Sequence, residues 1–324
     1  MANDTITAIE GLRVGHAHDE RSRTGCTVVL LDPEADVACE ARGGWPGTYD
    51  THSIDVTKTF VRKHAIFLTG GDVFGFDVAT GIRRYLLETR AASRTGSGKL
   101  PGIVGANIYD VEFADVQQAN YPQLGYQACI NASTTSVSEG NVGAGIGATV
   151  GKFRGKKFAS KGGCGTDAVR LSSKLVVGAI VITNSYGNVY DYQNGRIVSG
   201  ARRPSGGFME FDDILRIGEK HSGRRGNTTI GIVATNAALS HEQLLKVAQM
   251  AHDGLAMSIR PVHTSLDGDT IFATTTAKIH LNKQRSCLID VVGYLASCCV
   301  ANAASRSVKA ARTLGRMPGL PSTA

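Results

Sequence analysis

The sequence predicts a layered α/β or α+β sandwich, and three observations lead to this fold class. Hydrophobic residues make up 42% of the 324 residues and charged residues 19%, which is typical of a chain that folds around a large core. The chain contains 39 glycines and 8 prolines, as expected where tight turns join many strands. Helical and strand-like segments follow one another without a strict β–α–β alternation. We therefore expect a single domain over residues 1–324, with helices flanking a strand-rich centre.

In the first half of the chain, short apolar runs predict strands and two longer segments predict helices. The predicted strands are 27–31, 36–40, 65–68 and 103–110. A helix is predicted over 76–91, because its apolar residues recur at helical spacing. A second helix is predicted over 114–130, where Pro122 and Gly125 would divide it.

The second half predicts further strands, two longer helices and a linker. The predicted strands are 175–183, 229–235 and 270–276, with a hairpin over 189–198 that turns at Asn194-Gly195. The predicted helices are 240–259, with a capping box from Ser240 to Gln243, and 286–312. The polar stretch 204–225 is the best candidate for a linker.

A glycine-rich run precedes the basic part of the chain. Residues 139–151 contain five glycines, which is also a property of phosphate-binding loops. A Walker loop ends in Gly-Lys-Ser or Gly-Lys-Thr, whereas here Gly151-Lys152 is followed by Phe153. We therefore expect a closely packed turn from a strand to a helix.

The formal net charge of +7 leaves nucleic-acid binding open as an alternative. The densest basic cluster is Arg154, Lys156, Lys157 and Lys161. Because only one aromatic residue, Phe158, lies among these charges, whereas a base-stacking surface requires several, we interpret them as solvated surface charge.

The seven cysteines are odd in number and form no Cys-x-x-Cys pair, so neither a disulfide framework nor a zinc site is predicted. No cofactor or metal is expected. The first residues lack the basic start and apolar stretch of a signal peptide. We expect no apolar segment that approaches the ~20 residues needed to span a bilayer, and we expect a cytoplasmic protein.

Thr228 follows a basic, glycine-containing loop at 222–226 and precedes an apolar run, 230–233. A threonine at such a junction becomes an N-terminal nucleophile if the bond between Asn227 and Thr228 is cut, because its α-amine then lies beside its hydroxyl. That amine has a reference pKa of about 7.7–8.0, close to the working pH of a general base. Most Asn-Thr pairs have no such role, so this hypothesis depends on the rest of the chain.

Three polar residues outside the Asn-Thr pair are of types that would serve such a nucleophile. Asp267 and Asp269 flank a glycine; their carboxylates either hold an ammonium group or start a strand through an Asx turn. Lys152 is either a fixed cation beside a site or one more member of the basic region.

Two other residues, Asn184 and Tyr109, allow two interpretations as well. The amide of Asn184 either donates to an oxyanion or ends the apolar strand before it. Tyr109 is either a donor near the site or an aromatic residue at a strand end. We interpret His263 as packing at the start of a strand. The pattern Gly-x-Ser-x-Gly is absent, and no histidine-dependent triad is predicted.

Four ordered motifs carry a resemblance to a known family. They are EGNVGAGIGATVGK at 139–152, VITNSYG at 181–187, NTTIGIVATNAALS at 227–240 and HTSLDGDTIFA at 263–273. Together they resemble the self-cleaving β-aminopeptidases and nylon-oligomer (6-aminohexanoate oligomer) endohydrolases, which are N-terminal-nucleophile hydrolases. The resemblance extends from the RVGHA segment at Arg13 to the final helix.

The resemblance implies a four-layer α/β/β/α sandwich, similar in layout to other N-terminal-nucleophile hydrolases but connected differently. It also implies autocatalytic cleavage between Asn227 and Thr228, which gives a large subunit, 1–227, and a small subunit, 228–324. The expected assembly is a homo-oligomer, a tetramer of such cut pairs.

Position by position, the resemblance assigns the nucleophile to Thr228, a nearby lysine to Lys152, the oxyanion amide to Asn184, a substrate-side tyrosine to Tyr109, and the pair that orients the nucleophile's amine to Asp267 and Asp269. In the aminopeptidase members, Ser and Glu stand at the positions of this pair. Those members also have a carboxylate two residues before the tyrosine, which binds the substrate's free amine. Here that position is the neutral Asn107, and both departures favour the nylon-oligomer hydrolases.

The implied function is hydrolysis of linear amides, such as 6-aminohexanoate oligomers or short peptides, through an acyl-Thr intermediate. The alternative is an exo-aminopeptidase that releases N-terminal residues from short peptides, β-peptides or amino-acid amides. A third class, an acyltransferase similar to ornithine acetyltransferase, lacks support because that family's cleavage-site sequence is not found. The expected partner is a small amide or peptide, with no nucleic acid and no membrane.

Overall fold

The computed structural model of the chain describes residues 3–89, 91, 93–95, 98–218, 226–280 and 287–320. Within these ranges the strands are β1 (Leu12–Asp19), β2 (Thr24–Ala41), β3 (Thr48–Tyr49), β4 (Arg62–Thr69), β5 (Ser93–Thr95), β6 (Gly98–Leu100), β7 (Ile103–Asn107), β8 (Thr149–Val150), β9 (Ser160–Lys161), β10 (Gly163–Arg170), β11 (Val176–Asn184), β12 (Asn188–Tyr190), β13 (Ile197–Ser199), β14 (Thr228–Ala237), β15 (Ile259–Arg260) and β16 (Thr270–Ile279). The α-helices of the same ranges are α1 (Val78–Glu88), α2 (Tyr121–Ile130), α3 (Phe211–Ile217), α4 (His241–Ser258) and α5 (Leu288–Ala310).

The long strand β2 connects two halves of a mixed sheet. The strand order is β10-β11-β14-β16-β2-β4-β7-β3, and β1 pairs with β2. Residues from Cys26 to Leu30 pair with β1 and β4, whereas residues from Val37 to Ala41 pair with β16. One half-sheet therefore contains β1, β4, β7 and β3, the other contains β10, β11, β14 and β16, and β2 belongs to both.

The three largest hydrophobic clusters show how the layers stack. The central cluster combines Val29 and Ile66 of the first half-sheet with Ile180, Ile232 and Phe272 of the second. A second cluster packs α4 and α5 against the outer face of the second half-sheet. A third packs α1 and α2 against the first. The layers therefore follow the order α/β/β/α, which confirms the predicted four-layer sandwich.

Alternation along β14 places Thr228 at the edge of the space between the half-sheets. Ile230 and Ile232 belong to the central cluster, whereas Val233 belongs to the cluster under α4 and α5. Side chains two residues apart on a strand share a face, so Thr228 lies on the side of the first half-sheet. On that side β7 ends at Asn107.

The predicted strands and long helices are present, with ends that differ by a few residues, and two elements need correction. The predicted strands at 27–31 and 36–40 are parts of one strand, β2, because the chain continues as a strand through Pro33, with only an irregularity in its pairing with β4. Helix α2 covers only the second part of the predicted 114–130. It has Pro122 in its first turn, where a missing backbone donor costs little.

The region between 189 and 225 departs further from the prediction. The hairpin is present as β12 and β13, but β12 ends at Tyr190 and β13 begins at Ile197, so the connection is longer than a two-residue turn. The predicted linker contains α3, in which Ile214 is buried. Residues 219–225, which include most of the basic loop before Thr228, lie outside the described residues.

The glycine-rich run is closely packed, but no α-helix follows it. It leads into the short strand β8 and then a 3-10 turn over Lys152–Arg154. A Cβ at Gly145 would lie 2.3 Å from the backbone nitrogen of Cys164, and only glycine tolerates this contact. The expected close packing is therefore confirmed and the expected helix is wrong.

Helix α5 corrects the expectation that no segment approaches membrane-spanning length. By length and composition alone it is apolar enough to cross a bilayer. In the fold, Val292, Ala296 and Val300 pack in the cluster against the second half-sheet and α4. Its apolar character is thus explained by its position as a core helix.

The basic cluster is also less uniform than expected, because Lys161 is buried. Its Nζ donates hydrogen bonds of 2.8 to 2.9 Å to the carbonyl oxygens of Gly145, Ala148 and Gly162. Burial lowers its pKa to about 7. This lysine therefore fastens the glycine-rich run and contributes nothing to a solvated basic surface.

Candidate active site

Thr228 is the first residue of β14, and its hydroxyl lies against the preceding peptide bond. The residue is 5% exposed. Its Oγ1 donates a 2.6 Å hydrogen bond to the carbonyl oxygen of Asn227. The backbone N–H of Gly268 donates to the same oxygen at 2.8 Å. A hydroxyl thus lies beside this carbonyl, and an N–H donor lies where negative charge would develop during an attack on it.

The chain before Asn227 requires a glycine. Gly226 has a φ of +102°, a conformation that residues with a Cβ rarely adopt. A Cβ at this position would also lie 2.2 Å from the ring of Tyr109. The ring therefore packs directly on the backbone that leads to the Asn227–Thr228 bond, and it fixes the path of that backbone.

Asn184 lies directly opposite Thr228 in the pairing of β11 with β14. Its Oδ1 accepts hydrogen bonds from Lys152 Nζ at 2.8 Å and from the backbone N–H of Thr149 at 3.0 Å. Its Nδ2 donates to the carbonyl oxygen of Tyr109 at 3.1 Å. These donors fix the orientation of the amide. Since Nδ2 carries two hydrogens, one of them is available to a further acceptor.

Lys152 is buried beside Asn184 and changes its charge near neutral pH. Its Nζ also donates to the main-chain oxygen of Asn184 at 2.9 Å. Burial lowers the pKa of Lys152 to about 7, although the negative charge of Asp267 opposes this effect. Both the ammonium and the amine are therefore accessible at neutral pH, which suits a group that transfers protons.

The carboxylates of Asp267 and Asp269 hold separate parts of the surrounding backbone. Oδ1 of Asp269 accepts from the backbone N–H of Thr229 at 2.7 Å. Asp267 accepts from both the N–H and the hydroxyl of Thr264. Among the described residues of the continuous chain, neither carboxylate accepts from the Thr228 nitrogen, which is still an amide. Burial, and then the charge of Asp269, raise the pKa of Asp267 to about 6.

His263 does more than the packing that the sequence suggested. Its Nδ1 lies 2.9 Å from Oδ2 of Asp269, and its backbone N–H donates to the same oxygen at 3.0 Å. Its ring lies edge-on to His252, with 4.8 Å between centroids. His263 therefore fixes the second oxygen of Asp269. The signal available in the sequence was a histidine six residues before a carboxylate in the HTSLDGD segment.

A cavity of about 430 Å³ lies beside Thr228. Its size is typical of small-molecule sites. Besides Thr228, the described lining consists of Trp45, Pro46, Gly47, Thr48, Asp72, Val73, Phe76, Asn107, Tyr109 and Gly226. The substrate-side residues expected from the resemblance, Asn107 and Tyr109, therefore lie in one cavity with the expected nucleophile.

Sequence reasoning missed two other groups at the site. The N–H of Gly268 has no signal of its own in the sequence, where only the carboxylates on either side of it stand out. Asp72 was missed although it follows the Gly70-Gly71 pair directly after β4. That position, at the end of a strand of a mixed sheet, is where ligand-binding loops commonly lie.

Known proteins are similar to this chain in sequence. The model of peptidase family S58 matches residues 4–320. An uncharacterized aminopeptidase of Mycobacterium leprae is 35% identical, over 97% of this chain and 92% of its own length. A 6-aminohexanoate-oligomer endohydrolase of Kocuria sp. is 34% identical, over 84% of this chain and 74% of its own.

A solved structure shows the same fold. The L-aminopeptidase D-Ala-esterase/amidase of Ochrobactrum anthropi, described as a variant of the Ntn hydrolase fold, superposes with a TM-score of 0.69 at 20% identity and covers 98% of this chain and 91% of that one. The family resemblance deduced from the four sequence motifs is thereby confirmed. This chain belongs to peptidase family S58 and is an amide-bond hydrolase.

Proposed function

We propose that the chain is a self-processing amidohydrolase that cuts itself between Asn227 and Thr228 and then uses Thr228 as an N-terminal nucleophile. The observation that carries this proposal is the environment of the Asn227 carbonyl. Its oxygen accepts hydrogen bonds from the Thr228 hydroxyl and from Gly268 N–H. A nucleophile and an oxyanion donor therefore surround the same peptide bond.

Self-cleavage would proceed through an ester. Thr228 Oγ1 bonds to the carbonyl carbon of Asn227 and gives up its proton, and the bond from that carbon to the Thr228 nitrogen breaks as the nitrogen takes up this proton. The N–H of Gly268 stabilises the negative charge on the oxygen during this step. Water then hydrolyses the ester, which leaves a carboxylate on Asn227 and a free amine on Thr228.

The mature enzyme would use the same hydroxyl on a substrate amide. The free amine of Thr228 accepts the hydroxyl proton while Oγ1 attacks the substrate carbonyl, and the proton then passes to the leaving amine. The unused N–H of Asn184 stabilises the tetrahedral intermediate. Water hydrolyses the acyl-Thr ester and regenerates the hydroxyl. Lys152, whose pKa is lowered to about 7, is the nearby group through which protons exchange.

Asp269 and Asp267 would act on the amine that cleavage creates. In the continuous chain Asp269 holds the N–H of Thr229, one residue after the nucleophile. Asp267 is buried and precedes Gly268, which contacts Asn227. Two carboxylates at this end of β14 favour the protonated amine and so adjust its pKa.

The substrates we propose are linear amides, either 6-aminohexanoate oligomers or short peptides. The names of the relatives support both, since one is an endohydrolase of such oligomers and another an aminopeptidase. Release of N-terminal residues from short peptides, β-peptides or amino-acid amides is the alternative. Masses of the first products from a long oligomer separate internal from terminal cleavage. Transfer of acetyl groups from acetylornithine is the less favoured third activity.

The two pieces should remain together after cleavage. Strand β14 of the small piece lies between β11 of the large piece and β16, and β16 pairs with β2 of the large piece. Exposed apolar residues such as Phe60 (57%) and Ile217 (63%) support further assembly into a homo-oligomer, which we expect to be a tetramer of cut pairs. We also expect the protein to be cytoplasmic.

Replacing the hydroxyl tests the proposal. Thr228→Ala should yield an uncut and inactive chain of about 34.1 kDa, while Thr228→Ser should still be cut. Thr229→Val is a matched control, because the buried Thr229 hydroxyl has no hydrogen-bond partner among the described residues. It should be cut like the wild type. Cleavage of Thr228→Ala at this bond would refute the assignment of the nucleophile.

A further inference from the structure

The cavity beside Thr228 contains a carboxylate with no role in the mechanism above. Asp72 lines this cavity together with Asn107, Tyr109 and Thr228. Its N–H donates to the carbonyl oxygen of Ile108 at 3.2 Å, and its φ is +51°. Aspartate and asparagine adopt this conformation more readily than most residues. The backbone thus holds the carboxylate at the end of β4, against the segment that follows β7.

The rest of the cavity lining makes this carboxylate a candidate for binding a positively charged group. Among the described residues of the cavity, Asp72 supplies the one carboxylate and none is a lysine or an arginine. Trp45, Val73 and Phe76 provide apolar surface. Burial raises the pKa of Asp72, although a backbone hydrogen bond from Val73 opposes this. A carboxylate partly removed from water, with no cationic partner among the described residues, favours a ligand that brings a positive charge.

Asn107 offers the complementary chemistry in the same cavity. The residue is 4% exposed, and its Nδ2 has no hydrogen-bond partner among the described residues. An unpaired amide N–H suits an oxygen of the ligand and repels an ammonium group. The cavity therefore has one group for a cation, Asp72, and another for a carbonyl oxygen, Asn107.

We propose that Asp72 binds the protonated amino group carried by the acyl part of the substrate and thereby determines specificity. The favoured substrates are then amides of amino acids whose amine is free, cleaved next to this terminal unit. The inference rests on the proposed function, because the acyl carbonyl must lie at Thr228. It therefore favours the alternative activity, release of the terminal unit, over cleavage inside an oligomer, since only the end unit has an ammonium group.

Paired substrates test this inference. Each pair consists of the p-nitroanilides of an amino acid and of the acid without its amine, for example 6-aminohexanoyl and hexanoyl, or β-alanyl and propanoyl. The wild type should hydrolyse the amino member with the higher kcat/KM. Asp72→Asn should lower kcat/KM for amino members by roughly 10- to 100-fold, the worth of one charged hydrogen bond, and leave the other members nearly unchanged.

Two further variants complete the experiment. Asp77→Asn, on an exposed residue of the same segment, should keep the wild-type preference. Adding Asn107→Asp to the Asp72→Asn variant should restore part of the preference, since the second substitution returns a negative charge to the cavity. The fraction of cut chain in each preparation shows whether the variant folds and processes itself. The substrate preference of the wild type is measured without any variant.

The outcomes separate this inference from the proposed function. If a cut wild-type enzyme lacks the preference or hydrolyses no amino member, or if Asp72→Asn keeps the preference, Asp72 does not bind the amine, although Thr228 remains the nucleophile. If the wild-type chain is uncut but still hydrolyses the amino member, the proposed function is wrong. The same assays then still show whether Asp72 determines the preference for amino substrates.

Discussion

Gly268 donates its backbone N–H to the carbonyl oxygen of Asn227 through a 2.8 Å hydrogen bond. The Asp-Gly-Asp segment, singled out in the sequence for its two carboxylates, therefore also contributes its central peptide group. Asp269 holds the N–H of Thr229 on the other side of the nucleophile. One short segment thus fixes the chain both before and after Thr228, and this places the hydroxyl against the bond to be cut.

Gly268→Ala should slow self-cleavage by about 100-fold, the effect of losing one oxyanion donor. A Cβ at this position would lie 2.5 Å from the carbonyl oxygen of Trp45 and 2.9 Å from Thr228 Oγ1, so the N–H must move away from Asn227. Electrophoresis of samples taken after synthesis gives the rate. Gly195→Ala, where a Cβ would meet nothing within 4 Å but the φ of +70° disfavours it, serves as the control for backbone strain away from Asn227. Equal rates for both variants would remove Gly268 from the cleavage step.

Gly226→Ala should give a folded but largely uncut chain. The new methyl group would collide with the Tyr109 ring, and the φ of +102° disfavours any Cβ, so the backbone ahead of Asn227 must shift. Circular dichroism reports the fold, and intact mass reports the cut. Wild-type cleavage in this variant would show that the contact with Tyr109 does not position the scissile bond.

Lys152→Met should change how stability depends on pH. The pKa of Lys152 is about 7 in the folded chain against an ordinary value of 10.5. Between these values the unfolded chain binds one more proton, so this residue makes the free energy of unfolding rise by about 1.4 kcal/mol per pH unit. Measured by urea denaturation in the uncut Thr228→Ala chain, the slope from pH 7.5 to 9.5 should be lower by this amount without Lys152. Equal slopes would contradict the lowered pKa of Lys152.

Lys161→Met separates the effect of a buried lysine on stability from a role of Lys152 in turnover. Lys161 is also buried, with its pKa lowered to about 7, so the slope should fall by the same amount. Its Nζ contacts carbonyl oxygens of the glycine-rich run and does not contact Asn184. In chains that keep Thr228, Lys152→Met should therefore abolish turnover by the protein that is cut. Lys161→Met should not abolish it.

Asp269→Ala should fold but lose turnover by on the order of 100-fold or more, as for removal of a group that governs proton transfer. His263→Ala should lose less, because Asp269 keeps its contact with Thr229. His263→Asn should recover part of that loss, since asparagine tolerates a φ of +55° and offers an amide donor. Steady-state kinetics checks the order. Asp253→Ala, at an exposed surface ion pair, should match the wild type.

The sequence predicted the layers well because their strands are continuous apolar runs, such as 175–183, and such runs have few alternatives to a buried strand. Helix α3 was missed because it buries only Ile214 among its seven residues, which leaves no periodic signal. The helix expected after the glycine-rich run is wrong because the run packs against other backbone. Such contacts depend on the tertiary fold and cannot be deduced from local composition.

For the site, the ordered motifs identified residues that the fold does bring together, including Thr228, Lys152 and Asn184. The motifs could not show which atoms face each other. The donation from Gly268 to Asn227 depends on how β14 and β16 align, and the position of Asp72 beside Thr228 depends on how the two half-sheets stack. The sequence indicated only a packing role for His263, because its hydrogen bond to Asp269 requires the loop between the two residues to turn back.

The most direct test of the central claim is the intact mass of the purified wild-type protein, with sequencing of each new N-terminus. We predict two chains of roughly 24 and 10 kDa by proportional length, the smaller one beginning Thr-Thr-Ile-Gly. A fully active protein that consists of a single uncut chain of 34.1 kDa would contradict the account.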